Sequence, residues 1–152
     1  MSNLTISPAC AGVESQYLPI IRLWILRIIV RSDLGSRFLF QDGVRSKELV
    51  RFLGLSQIEM TELDTRKADR IFQQHLAAAE KRSCALPKNT ILASNVRKIG
   101  QQFDLSSVEQ DMLHFAYLAK ACGPLTTSID LLGGLSMGQL LRVLMLCLGH
   151  PA

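Results

Sequence analysis

Residues 18 to 32, LPIIRLWILRIIVRS, set Arg22, Arg27 and Arg31 into an otherwise apolar run that also holds the single tryptophan, Trp24. Guanidinium groups bind phosphates, carboxylates and carbonyls, so the run could be a membrane segment, a core helix with charged exits, or a surface for another molecule. A bilayer span needs about 20 apolar residues and is costly with three arginines inside it. With Arg22 taken as zero and about 100° per residue, Arg27 falls near 140° and Arg31 near 180°. The bases therefore spread over nearly half the circumference, whereas a membrane-surface helix gathers them on one face. The spacing fits a helix packed on several sides, with arginine heads emerging at gaps and Trp24 as a core or interface anchor. The same basic bias runs on: residues 20 to 52 hold seven bases against three acids, which equals the net charge of +4 for the whole chain. Arg22, Trp24, Arg27, Arg31, Arg37 and Arg45 are accordingly the candidate interaction surface, for a protein partner or, less simply, for nucleic acid.

No other reactive residues assemble into a site. Cysteines stand at 10, 84, 122 and 147, with no C-x-x-C and no histidine at zinc-like spacing. The first sixteen residues contain no Lys or Arg to form a signal-peptide head. Reduced, buried cysteines in a cytoplasmic protein are the expectation. His75, His114 and His150 lack carboxylates at metal-binding spacing, although Asp111 could orient one ring nitrogen of His114. The glycine cluster GGLSMG at 133 to 138 has no lysine and follows no strand, so it is not a phosphate loop. A helix-turn-helix at 126 to 149 would read DNA with a helix offering only Gln139 and Arg142; a helix so apolar is expected to be buried on nearly every side. No enzyme activity, metal or cofactor is expected.

The elements that must position these residues are all helices. At 152 residues, 48% apolar and 20% charged, the chain can bury about two-thirds of its unfolded surface as one domain. Leu-Ser-x-x-Glu/Gln recurs at 55–59, 105–109 and 135–139, and each copy can form a capping box at a helix start. The pattern predicts helices at 17–31, 34–41, 46–53, 65–83, 87–103, 106–122, 126–132 and 136–148. Residues 65–83 should bury Ala68, Ile71, Phe72, His75, Leu76 and Ala79, and the helix opened by Pro87 should bury Ile91, Leu92, Val96 and Ile99. Nowhere do apolar and polar residues alternate as a half-buried strand requires. The class is all-α: a compact domain of about seven or eight helices over 17–152, preceded by a loose arm at 1–16.

Two blocks carry a resemblance. LPIIRLWILRIIV resembles the opening helix of the N-terminal helical region of certain bacterial AAA+ ATPases, and residues 86 to 151 look like its later part. The matching positions are Leu86, Pro87, Asn95, Ile99, Leu105, Ser106, Glu109, Leu131, Leu132, Gly133, Leu135 and Ser136. The resemblance implies an accessory, non-enzymatic module that contacts a substrate, an adaptor or another subunit. ATP would be handled only by an ATPase core whose residues have no counterpart here. The alternative is a small helical nucleic-acid-binding or regulatory protein that uses the basic 20–52 segment.

Overall fold

The computed structural model describes residues 10–32, 43–55, 65–82, 85–134 and 136–149. Among these there is no strand, and the helices are α1 (Leu18–Arg31), α2 (Gly43–Phe52), α3 (Thr65–Lys81), α4 (Ile91–Phe103), α5 (Ser107–Ala121), α6 (Gly123–Asp130) and α7 (Met137–Leu148). The all-α class is therefore correct. The expected helix at 34–41 lies outside the described residues, as do the first capping box at Ser56 and the cap at Asp64.

α1 is the axis of the molecule. Leu18 and Pro19 open it, where a missing proline N–H costs nothing. Nine of its fourteen residues are buried, a density that requires neighbours on several sides. Those neighbours are α3, α6 and α7, together with a 3-10 turn at Ser15–Tyr17. Trp24 is 1% exposed and meets Phe115 of α5 ring to ring, with centroids 5.0 Å apart. Leu49 from α2, Phe72 from α3, Leu118 from α5, Leu125 from α6 and Cys147 from α7 close the core around it.

The helix ends obey local chemistry. Ser106 accepts from the Glu109 N–H while the Glu109 carboxylate accepts from the Ser106 N–H, and Ser136 with Gln139 repeats the exchange. That hydrogen bond from the Ser106 N–H also holds the Glu109 carboxyl below its ordinary value. α4 begins at Ile91, later than Pro87, because the Thr90 hydroxyl accepts from the Ala93 N–H and fixes the start there. α6 begins at Gly123, with Pro124 in its first turn, earlier than the expected 126. Cys122 is at once the last cap of α5 and the first of α6.

Several expected faces are rotated. His75 is exposed, although Ala68, Phe72 and Leu76 beside it are buried. α4 packs chiefly on α5, and it does so through Ala93, Val96 and Gly100. At Gly100 a Cβ would sit 2.6 Å from Gln110 Cδ, so any larger residue would displace the Gln110 side chain, whose amide donates to the Leu105 carbonyl at 3.0 Å. With the small residues turned inward, Ile91 and Ile99 face outward at 75% and 40% exposure. The first half of α7 is likewise exposed rather than surrounded, with Met137 80% and Leu141 49% accessible.

Within the arm expected at 1–16, the described residues Cys10 and Val13 are packed as buried apolar side chains; residues 1–9 lie outside the described residues. Cys10 is joined to Cys122 in a disulfide, with Cα atoms 4.6 Å apart. The expectation of reduced cysteines thus fails for this pair, because folding brings together two residues 112 positions apart. Cys84 lies outside the described residues.

Truncating the central aromatic should expose how much rests on it. Trp24→Ala is expected to cost about 3–5 kcal/mol in urea denaturation, with Phe115 losing its ring partner. A loss below about 1 kcal/mol would mean that α1 is not the axis of the core.

Candidate functional site

The three arginines of α1 all leave the core at seams between elements, and each is engaged there. Arg22 Nε donates to the Phe52 carbonyl at 3.0 Å, and its guanidinium carbon lies 5.4 Å from the Phe52 ring centroid. It thereby satisfies a carbonyl at the C-terminal end of α2. Its burial pulls its proton affinity below the ordinary value for arginine. Arg27 Nη1 donates to the Cys147 carbonyl at 2.6 Å, in the last turn of α7, where the helix dipole favours a cation. Gly149 follows in the left-handed conformation, at φ 74°. A Cβ on Gly149 would stand 3.3 Å from Arg27 Nη1, so its glycine serves both the turn and the close approach. Arg27 Nε also reaches Glu80 of α3 at 3.3 Å, and Arg31 shares the same Glu80 oxygen.

Of the proposed surface, then, Arg22, Arg27 and Arg31 stitch α1 to α2, α7 and α3, and Trp24 lies in the core. Arg45 belongs to α2 but its side chain is outside the description, and Arg37 lies outside the described residues altogether. The arrangement chemically resembles a set of structural clamps more than an open anion site. Among the described residues no group of His, Cys, Asp and Glu could hold a metal ion. No described helix is long and apolar enough to cross a membrane. The thiol of Cys147 sits 3.9 Å from the Trp24 carbonyl, and burial pushes its pKa up to about 12, so it remains protonated and unreactive.

Sequence reasoning missed two features. The first is a buried polar cluster. Tyr17 Oη lies 2.5 Å from Thr90 Oγ1 and 3.3 Å from His114 Nε2, joining the 3-10 turn, the start of α4 and the body of α5. Each of the three groups can both donate and accept, so one chain of hydrogen bonds joins Thr90, Tyr17 and His114. Burial holds His114 below its ordinary value, against the pull of Gln110 and Asp111. Burial likewise raises Tyr17, against the hydrogen bond with Thr90. The cluster ties the 3-10 turn, the start of α4 and the body of α5 together. Its members are up to 97 residues apart, which no local spacing reveals.

The second is an apolar outer face. Ile91, Ile99 and Phe103 follow the outer ridge of α4, with Phe103 65% exposed. Tyr117 of α5, half exposed, stands across a cleft of about 260 Å³ whose walls include Gly12, Val13, Glu14 and Leu92. The Glu14 carboxylate accepts from the Ile91 N–H at 3.2 Å and pins the N-terminal segment to the start of α4. The signal was present in the sequence: one helix carries both small and bulky apolar positions, and only the small ones fit against a close neighbour. Comparison with protein-family models, with curated proteins and with solved structures gives no match to this chain.

Two consequences can be measured. Arg27→Ala should cost about 2 kcal/mol, in the range for a charged hydrogen bond to a buried carbonyl. Arg31→Ala, at a more exposed pair, should cost under about 1 kcal/mol; equal losses in urea would contradict the seam assignment. The unfolded His114 takes up a proton before the folded one as pH falls. Its contribution to stability is therefore complete above the ordinary value of 6.5 and declines below it. Urea titrations at about pH 7.5 and 5.5 should show that decline, and His114→Gln should flatten it.

Proposed function

We propose that this chain is a non-enzymatic helical module that makes protein–protein contacts through the outer face of α4 and α5. The observation that carries the reading is the exposure of Ile91, Ile99 and Phe103 on α4 and of Tyr117 on α5, bulky apolar groups left in water while the arginines of α1 are spent within the fold. Exposed bulky apolar groups on one layer of a fold are where protein partners dock. The finer reading, an N-terminal helical region of a bacterial AAA+ ATPase acting in the cytoplasm, rests on the resemblance of residues 18–30 and 86–151 alone. In such a protein ATP is bound by the core and this module supplies a contact to a substrate, an adaptor or another subunit.

A second copy of the chain is the partner to test first. Sedimentation velocity over about 1–100 µM, the range in which modest interfaces associate, should show a rising mean mass. Ile91→Asp/Phe103→Asp should abolish that rise with the helical circular dichroism unchanged, because exposed substitutions perturb stability little. A wild type that stays monomeric throughout would remove the self-association reading. A genomic reading frame without a P-loop downstream of this segment would remove the ATPase link.

A further inference from the structure

The Cys10–Cys122 pair joins two parts of the fold that are secured very differently. On one side, Cys122 sits in the elbow between α5 and α6. Its N–H donates to the Leu118 carbonyl at 2.9 Å, and its own carbonyl accepts from the Thr126 N–H at 3.0 Å and from the Thr126 hydroxyl at 3.1 Å. The elbow keeps its shape without the disulfide. On the other side, among the described residues, Cys10 lies in a short segment held by two turn hydrogen bonds, Val13 N–H to the Cys10 carbonyl and Tyr17 N–H to the Glu14 carbonyl, both at 3.0 Å, by the buried Val13 side chain, and by the Glu14 contact to Ile91. Tyr17, tied to Thr90 and His114, anchors that segment at its far end. Gly12, Val13 and Glu14 in turn form one wall of the cleft whose other wall is Leu92, Asn95, Tyr117 and Leu118.

We propose that Cys10–Cys122 is a redox latch: oxidised, it holds residues 10–16 as a wall of the cleft, and reduced, it lets that wall swing away about Tyr17 and uncovers the apolar groups of α4 and α5 behind it. The reductant is a dithiol. One of its thiolates attacks a sulfur of the pair and forms a mixed disulfide, and its second thiol displaces the protein. Cys10 and Cys122 leave as two thiols carrying the two protons, while the two electrons come from the dithiol, which becomes a cyclic disulfide. Both cysteines are fully buried in the closed form, so exchange proceeds through local opening of the 10–13 turn. Closure is the reverse reaction with a small-molecule disulfide. The inference concerns the order of one segment and stands whether or not the outer face binds a partner.

The test uses the whole chain. Iodoacetamide in denaturant, read by intact mass, should add two groups per chain before dithiothreitol and four after it, out of the four cysteines. Hydrogen exchange on the folded protein should then show amides of residues 11–16 exchanging at least about tenfold faster when reduced, in line with loss of a local tether. The amides of α5 and α6 should be unchanged. Cys10→Ser should match the reduced wild type without reductant. Four alkylated cysteines in air-oxidised protein would overturn the latch, and so would equal exchange of 11–16 in the two states. Should Cys10→Ser fail to fold, the comparison of oxidised and reduced wild type decides the matter alone.

Discussion

A guanidinium can rise from a buried helix only where fixed oxygens or a ring face receive it, because an unpaired buried charge costs several kcal/mol. α1 meets that requirement three times. Phe52 at the end of α2, Cys147 at the end of α7 and Glu80 on α3 each accept from one or two of its arginines. Two of these acceptors are carbonyls at helix ends, groups that would otherwise want a partner of their own. Placing the arginines therefore also fixes where α2 and α7 stop and how they abut α1. The remainder of the packing, Trp24 on Phe115 and the apolar sides of α3 and α6, fills in around seams already set.

The outer layer is organised by a different rule. α4 approaches α5 through Ala93, Val96 and Gly100, with the Gln110 side chain laid over the glycine. Close approach selects small residues for the contact, which sends Ile91, Ile99 and Phe103 to the outside. Glu14, Tyr17 and Thr90 then bind the N-terminal segment across the start of α4, and the cleft forms between that segment and Tyr117. The result is an inner shell specified by charge and an outer one that leaves its bulkiest apolar groups uncovered.

Much of this was legible in the residues, and what was not has identifiable causes. The spread of Arg22, Arg27 and Arg31 announced a helix packed on several sides, and Ser106 with Glu109 and Ser136 with Gln139 announced two helix starts, because capping is local chemistry. The face of α4 was misread because periodicity places apolar residues on a wheel without saying which of them meets a neighbour. For α7, an apolar composition suggested burial on every side, yet only its second half lies against the core. The Tyr17–Thr90–His114 cluster and the Cys10–Cys122 pair were invisible for a plainer reason. Their members meet only after the whole chain has folded, and nothing in their immediate surroundings marks them.

The clamp between Arg27 and the Cys147 carbonyl spans 120 residues, and that distance has a meaning in time. A ribosome adding about 5–20 residues per second takes roughly 6–24 s to cover it. Through most of that interval α1, the most densely apolar stretch of the chain, has neither α6 nor α7 to cover it. The order of synthesis thus gives the helix that most needs shelter the longest wait for it. That wait is the period in which a general chaperone, or premature association between nascent copies, competes with the native seams for the same surface.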